Sequence, residues 1–338
     1  MIDINKKHLK RKILINKIIR NLLFLIFFIL LVVLINEIFI QPYLSNKFAN
    51  EIKDLYNNTD NVIFNDLLLD NYETEVIPEI TLPEEKRDKQ GRLLQFSGLL
   101  QVNEDIKGWI RIPDSNIDYP VLQSSIDNPE YYLKKNFYKG NNRAGSIFLD
   151  VKSSIEENTN NLVLHGHNMV STDNMFHYLI KYNNLDYYKQ RPVITFDTLY
   201  QKNEWKIIAL FKTNGSSKKE PLFDYTKSTF TDKSEYMNFL YQIMIRSIFD
   251  YKIDLNEDDQ ILTLSTCSYE VDNYRTVIVA RKVRENESSD VDVNAATIKN
   301  NPLYPNSWYK RYGGTGPVYS STFEEALENG EINWYKSK

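Results

Sequence analysis

Residues 261–281 read ILTLSTCSYEVDNYRTVIVAR, and this stretch decides the fold. Two apolar runs separated by a polar loop predict neighbouring strands over 261–266 and 276–281. Cys267 directly follows the first run, and Arg275 directly precedes the second. A thiol at the end of a buried strand lies at the rim of a sheet, where a groove can reach it. The stretch therefore predicts a β-domain with a candidate nucleophile at its edge.

Six further segments show the same sequence pattern, short apolar runs between turn residues, which is typical of strands. They are 108–112, 119–123, 145–149, 161–165, 193–196 and 205–212. Apolar residues at helical spacing predict one helix over Ser234–Ile248, and 92–102 predicts a short amphipathic helix. Eight strands around one core predict a mainly β fold, a closed or nearly closed barrel with helical insertions.

The N-terminal sequence predicts a membrane anchor. Residues 1–20 hold seven Lys or Arg against one Asp, and the apolar span Leu22–Ile40 follows, interrupted only by Asn36 and Glu37. About 20 apolar residues cross a bilayer, and the preceding positive charge places the N-terminus in the cytoplasm. A cleaved signal peptide would end at a small-x-small site, which residues 37–42 lack, so an uncleaved anchor is favoured. The chain from about residue 43 is then expected outside the cell.

The net charge of the chain limits the partners that it can bind. The whole chain carries −4 although its first 20 residues are basic, so the rest is acidic. An acidic body argues against nucleic acid as a partner.

Cys267 is the only cysteine. Exported domains usually pair their cysteines, so a lone thiol is either a small buried apolar residue or a reactive group, and the count leaves both open.

A thiol nucleophile needs a basic or cationic neighbour, because a pKa of about 8.5 leaves little thiolate at neutral pH. His8 is expected in the cytoplasm, and His177 lies in an apolar stretch typical of a packed histidine. His165 and His167 lie where a strand runs into a Gly turn, and alternation puts them on one side. No further His or second Cys completes a metal site with them. Arg275 either stabilises an anionic intermediate of acyl transfer or is a surface arginine.

Taken together, these segments resemble the sortase family, and class B within it. Residues 263–267 and 275–281 resemble the cysteine and arginine strands of that family, and 164–169 resembles its histidine turn. The upstream segments that match in order and spacing are 108–113, 117–121 and 145–150. The resemblance spans about residues 92–283, and several motifs in one order are more specific than any single motif.

The resemblance implies a closed eight-stranded sortase-type β-barrel, preceded by the transmembrane helix. It implies that Cys267, His167 and Arg275 are catalytic, since the family's catalytic histidine directly follows Gly. His165 falls where relatives often carry Tyr, beside the groove. The residues that match substrate-groove positions are Asn128, Leu133, His165, Tyr225 and Ser265.

The implied reaction is transpeptidation on the outer face of a cell membrane. Cys267 attacks the Thr carbonyl in a C-terminal sorting motif of the Asn/Ser-Pro-x-Thr kind on an exported protein. Arg275 steadies the oxyanion, and His167 protonates the leaving amine. The thioester then passes to an amine of peptidoglycan or its lipid-linked precursor. No metal or organic cofactor is required.

The predicted organisation has five parts: a basic cytoplasmic arm (1–20), a transmembrane anchor (21–41), an extracytoplasmic stalk (42–91), the catalytic barrel (92–283), and a polar linker with a small C-terminal extension (284–338). The extension has no counterpart in the family pattern, and it is either a packing accessory or a regulatory flap. Ser321 and Glu324 predict a capping box for a short helix over Phe323–Asn329. The Cys-to-Arg spacing of eight is shorter than in some class B members.

Two other interpretations stay open. One is a membrane-anchored cell-wall cysteine peptidase or L,D-transpeptidase, although such families show other contexts around the cysteine. The other is a non-catalytic surface protein with an inactive barrel.

Overall fold

The computed structural model describes residues 2–40, 43–44, 47–57, 85–156, 159–218 and 220–337. The chain divides into two compact units, residues 1–54 and 55–338. In the first unit, helix α1 (Ile2–Ile35) continues as a π-helical turn over Asn36–Ile40. Its segment Arg11–Ile40 is long and apolar enough to cross a membrane. The apolar patch 62–69 of the predicted stalk lies outside the described residues.

The second unit is built on a closed barrel of eight strands in the order β1-β2-β3-β4-β10-β11-β8-β7. The barrel strands are β1 (Ile106–Arg111), β2 (Asp118–Leu122), β3 (Ile147–Leu149), β4 (Asn161–His165), β7 (Val193–Thr198), β8 (Glu204–Asn214), β10 (Ile261–Ser268) and β11 (Tyr274–Lys282). Each coincides with one of the eight predicted strands, so the predicted fold class is confirmed. Short pairs outside the barrel are β5 (Asn168–Met169) with β6 (Asn174–Met175), and β9 (Phe249–Asp250) with β12 (Thr297–Ile298).

The barrel is mixed, because β2 pairs with β3 and β4 pairs with β10 in parallel, whereas the other barrel pairs are antiparallel. Strand β10 is buried at every position except Cys267, which is partly exposed. Such a run of buried positions is typical of a strand that is covered on both faces. The thiol therefore lies where the covered strand reaches the rim.

Helices cover the barrel or end at its edges. They are α2 (Ser97–Val102), α3 (Leu185–Gln190), α4 (Lys233–Arg246), α5 (Asn306–Tyr312) and α6 (Phe323–Glu328), with 3-10 turns at Leu94–Phe96, Tyr131–Leu133, His177–Asn183 and Val293–Ala295. Helix α4 starts one residue before the predicted start because Asp232 caps it, accepting from the Glu235 N–H at 2.8 Å. It ends at Arg246, because the backbone of the next residue, Ser247, leaves the helical region with ψ 134° and its hydroxyl donates to the Phe249 carbonyl.

The predicted capping box of α6 is wrong by one residue. Thr322 is the N-cap because its backbone is extended, and its hydroxyl accepts from the Glu325 N–H at 3.2 Å. The Glu325 carboxylate in turn accepts from the Ser321 N–H. The carboxylate of Glu324 accepts instead from the hydroxyl of Ser234 in α4. The helix stops before Gly330, which has φ +70° and whose N–H donates to the Leu327 carbonyl, as is typical of a glycine that ends a helix.

Residues that follow the barrel pack against it from the start of the predicted linker. Arg284 bonds Asp259 and Asp254 through its guanidinium. Glu287 accepts two bonds of 2.7 Å from Arg281, which is fully buried, and one from Lys206. The carboxylate therefore bridges two cations at the side of the barrel.

Replacing Glu287 by Gln should destabilise the fold, because it leaves a fully buried guanidinium without its anion. We expect a loss of about 2 to 3 kcal/mol in the free energy of unfolding at pH 7, since Glu287 itself is partly exposed. The hydrogen bond from Arg281 holds the pKa of Glu287 well below its usual 4.5. The stabilisation is therefore complete above that value and is lost as the pH falls below it.

Urea denaturation of the full-length protein in detergent measures this effect. Exposed Glu285→Gln is the matched control and should change stability by less than about 0.5 kcal/mol. Equal behaviour of the two variants at pH 7, or a gap that does not narrow in acid, would contradict the assignment.

Candidate functional site

Three strand ends meet at one rim of the barrel because β4 and β10 run parallel and β11 returns antiparallel beside β10. Ser265 faces His165 across the β4–β10 pair, and Cys267 faces Arg275 across the β10–β11 pair. A groove of about 450 Å³ opens there. The predicted site residues that line it are Leu133, His165, His167, Tyr225, Ser265, Cys267 and Arg275.

Asn128 is the predicted site residue that does not line the groove. It is exposed, in a turn where its carbonyl accepts from the Tyr131 N–H at 3.1 Å. The next two residues of that turn, Pro129 and Glu130, do line the groove. The turn therefore forms the wall, with the Asn128 side chain outside it.

The arginine is held at its strand end by the backbone. Arg275 donates through Nη1 to the Tyr274 carbonyl at 3.1 Å and, less closely, to Asn273 Oδ1 at 3.4 Å. Gly215, at the end of β8, lies so near that a Cβ there would come 2.8 Å from the guanidinium carbon. Glycine is thus the residue that permits the guanidinium to lie flat against this wall.

The proton on His167 is fixed by its partner. His167 Nε2 lies 2.9 Å from the Leu133 carbonyl oxygen. Since a carbonyl oxygen only accepts, Nε2 carries the hydrogen, and Nδ1 is the nitrogen left for proton exchange. The preceding Gly166 has no room for a side chain, because a Cβ would come 2.8 Å from the Phe176 ring.

The other histidine of the pair has a different partner. His165 Nε2 lies 2.9 Å from Asp150 Oδ2, with the two side chains 23% and 18% exposed. Burial raises the pKa of Asp150, but hydrogen bonds from His165 and the Lys152 N–H outweigh it and leave the pKa below its usual value. The groove therefore contains an ionised carboxylate beside the imidazole.

Two hydroxyls form the floor of the groove. Tyr225 OH and Ser265 Oγ are 2.9 Å apart, and both residues are buried. Burial raises the pKa of the Tyr225 hydroxyl. The phenol is thus neutral and is a fixed hydrogen-bonding group at neutral pH.

Sequence reasoning missed a chain of side chains behind the nucleophile. Asn168 is buried, and its Nδ2 donates to the Cys267 carbonyl at 2.9 Å. Its Oδ1 accepts from His177 Nδ1 at 2.6 Å, and His177 Nε2 lies 3.3 Å from Asp173 Oδ1. His177 was predicted as a packed histidine; it is largely buried, with Nδ1 hydrogen-bonded to Asn168 and Nε2 near the Asp173 carboxylate. The only signal was the place of Asn168 next to His167, since its partner lies 99 residues away.

In the described parts of the chain, no three His, Cys, Asp or Glu side chains are grouped so that they could hold a metal ion. The two candidate histidines turn to separate partners, Asp150 and the Leu133 carbonyl.

Comparison with known proteins identifies the family. Residues 110–283 match the family model Sortase, described as the sortase domain, over half of the chain. The chain belongs to the sortase family. It is 33% identical over 178 residues to sortase B of Listeria monocytogenes, covering 53% of this chain and 69% of that protein. Cys267 is therefore the single cysteine of a sortase-type cysteine transpeptidase of class B.

Solved structures agree with the fold. Sortase B from Bacillus anthracis in complex with AAEK1 superposes with a TM-score of 0.57 at 26% identity, covering 73% of this chain and all of that chain. A Staphylococcus aureus sortase B–substrate complex superposes with a TM-score of 0.51 at 30% identity, covering 56% of this chain and 85% of that one.

Asn168→Asp tests the support behind the nucleophile, because it keeps the shape and removes the donor to the Cys267 carbonyl. We expect a loss of about 1 to 3 kcal/mol in the free energy of unfolding, since a buried carbonyl loses its partner. Exposed Asn183, whose Nδ2 donates to the Ile180 carbonyl at 2.8 Å, is the matched control. Asn183→Asp should change stability by less than about 0.5 kcal/mol, and equal denaturation midpoints for both variants would refute the contact.

Proposed function

We propose that this transpeptidase cleaves a C-terminal sorting motif of exported proteins after Thr and transfers the Thr carbonyl to an amine of the cell wall. The observation that carries the proposal is the arrangement at one rim of the barrel. Cys267 and Arg275 face each other on adjacent strands, and His167 lines the same groove. These are a nucleophile, an oxyanion donor and a proton donor, the groups that acyl transfer needs.

Attack by the Cys267 thiolate on the Thr carbonyl places a negative charge on its oxygen. Arg275 supplies donors for that charge, because its internal bonds use Nη1. Within the described residues its Nε and Nη2 have no hydrogen-bond partner, so they remain available to the substrate. An oxyanion donor of this kind contributes about 10² to 10³ in rate.

Collapse of the intermediate breaks the peptide bond and requires a proton on the departing amine. Nδ1 of His167 takes the proton of the Cys267 thiol when the thiolate forms, and it can then deliver that proton to the amine, because Nε2 is engaged by the Leu133 carbonyl. The acyl group then remains on sulfur as a thioester. An incoming amine loses a proton to the same imidazole and takes the acyl group, which regenerates the thiol.

The groove supports an extended peptide as substrate. Its walls combine apolar surface from Leu133 and Phe148 with the Tyr225–Ser265 hydroxyls and the Asp150–His165 pair. The substrate complex of the S. aureus enzyme supports the same class of partner. We propose a motif of the Asn/Ser-Pro-x-Thr kind, with peptidoglycan or its lipid-linked precursor as the acceptor.

The first helix supports a location of the protein at the cell membrane. The length and composition of the segment Arg11–Ile40 support a membrane anchor, and the basic residues before it favour a cytoplasmic N-terminus. The catalytic barrel then lies outside the membrane, where exported substrates and wall precursors meet.

The His-x-His pair provides a matched test of the catalytic assignment. His167→Asn should lower kcat with a fluorogenic sorting peptide by about 10² to 10⁴, the range for general acid–base catalysis. His165→Asn removes the same ring two residues away and should lower kcat by less than about tenfold. Steady-state kinetics of the full-length protein measure both. An equal loss in the two variants, or a larger loss in His165→Asn, would reverse the assignment.

The single cysteine tests the topology. A membrane-impermeant maleimide should label Cys267 in intact cells, and Cys267→Ala should remove the signal because no other thiol exists. Labelling that requires permeabilised cells would place the barrel in the cytoplasm and contradict the proposed location.

An amine acceptor separates transfer from simple hydrolysis. With a primary amine present, product should appear as the amide and total turnover should rise if thioester breakdown limits the rate. Release of only the free acid at saturating amine would favour the cell-wall cysteine peptidase instead.

A further inference from the structure

The C-terminal extension is part of the folded body of the protein. The family match ends at residue 283, yet the chain beyond it returns across the barrel. Strand β12 pairs with β9, and the Phe323 N–H at the start of α6 donates to Asn238 of α4 at 2.7 Å. Phe323 and Ala326 are buried in the same core as the barrel.

Helix α5, in the middle of this extension, lies against the start of β11. The Trp308 ring stacks on Tyr304 at 4.3 Å and 8°, and it faces Tyr274 of β11 at 6.2 Å and 24°. Tyr312 packs on the same indole at 4.6 Å. We call Tyr304, Trp308 and Tyr312 the aromatic brace.

Hydrogen bonds join α5 to both loops beside the catalytic arginine. Ser307 Oγ lies 2.5 Å from Tyr274 OH, and the Ser307 N–H donates to Glu220 Oε2 at 2.9 Å. Glu220 belongs to the loop after β8, which also supplies Gly215 and Tyr225 to the groove. Tyr312 OH donates to the Glu270 carbonyl at 3.2 Å, in the loop between Cys267 and Arg275.

That loop is held from the inside as well. Lys212, almost fully buried, donates to Glu270 Oε1 at 2.6 Å and to Thr276 Oγ1 at 2.8 Å. Glu270 is thus fixed by its carboxylate from the barrel and by its carbonyl from the extension. Tyr274, which the brace covers, accepts the Nη1 bond of Arg275.

We propose that the aromatic brace positions the loop between Cys267 and Arg275 for catalysis. Trp308 and Tyr312 are positioning residues: Trp308 faces Tyr274, where the loop enters β11, and Tyr312 bonds Glu270 within the loop. The end of the loop in turn bonds the guanidinium through Asn273 and Tyr274. Displacing a catalytic group by about 1 Å can lower the rate by up to about 10²-fold. Loss of the brace should therefore lower kcat more than it changes KM. The proposal rests on the function proposed above, in which Arg275 binds the oxyanion.

Two tryptophans of the extension give a matched test in the full-length protein. Trp308→Ala should lower kcat for the sorting peptide by roughly ten- to a hundredfold, with KM changed by less than about threefold. Trp334 packs on Phe323 at 5.9 Å, away from the loop, and Trp334→Ala should keep kcat within about threefold at a similar loss of Tm. Trp308→Phe, which keeps a stacking ring, should recover most of the kcat.

Amide hydrogen exchange over 268–275 supplies a readout that does not depend on activity. Exchange there should accelerate in Trp308→Ala and stay unchanged in Trp334→Ala. If Trp308→Ala does not fold, Tyr312→Phe removes only the hydroxyl bond to Glu270 and should lower kcat by about fivefold, with faster exchange in the same segment.

Unchanged exchange over 268–275 in both Trp308→Ala and Tyr312→Phe would overturn the brace, as would equal losses of kcat in the two tryptophan variants. A wild-type protein that acylates with no sorting peptide would instead overturn the proposed function. The exchange measurement would still decide whether the brace holds the loop.

Discussion

The register of β10 against β11 is the constraint on which the site depends. It sets Cys267 opposite Arg275, and a slip of one residue would turn every side chain of the strand to the other face. Barrel closure prevents that slip, because β10 is fixed on its other side by the parallel pairing with β4 and β11 is fixed by β8. The same pairing with β4 brings the histidine turn to the cysteine. One set of backbone hydrogen bonds thus brings together the three proposed catalytic groups.

Hydrogen bonds around these strand ends restrict the orientations of the site's side chains. The Leu133 carbonyl selects the tautomer of His167, and Asn168 holds the Cys267 carbonyl. Among the described residues, Arg275 forms hydrogen bonds through Nη1 alone, and it lines the groove. In the proposed mechanism these groups are oriented before substrate arrives, so little reorganisation is needed when charge develops on the carbonyl oxygen.

The barrel was predictable because its signals are local. Short apolar runs between turn residues located all eight strands, and 161–165 is observed with the predicted bounds. The eight predicted site residues rested on motif resemblance, and all of them except Asn128 meet at one rim. What sequence could not supply are contacts between distant residues. Tyr274 and Ser307 are 33 residues apart and Glu220 and Ser307 are 87 apart, so the extension appeared as a tail with no visible partner.

The α6 cap was misplaced for a different reason: adjacent Ser321 and Thr322 offer equal hydroxyls, and only the backbone angles distinguish them.

Mass spectrometry of the intact protein mixed with a sorting-motif peptide shows whether Cys267 forms an acyl-enzyme. We expect an added mass equal to the peptide up to its Thr, mapped to Cys267, removed by hydroxylamine and absent in Cys267→Ala. An adduct on any other residue, or a wild-type protein that forms no such adduct across the Asn/Ser-Pro-x-Thr series, would contradict it.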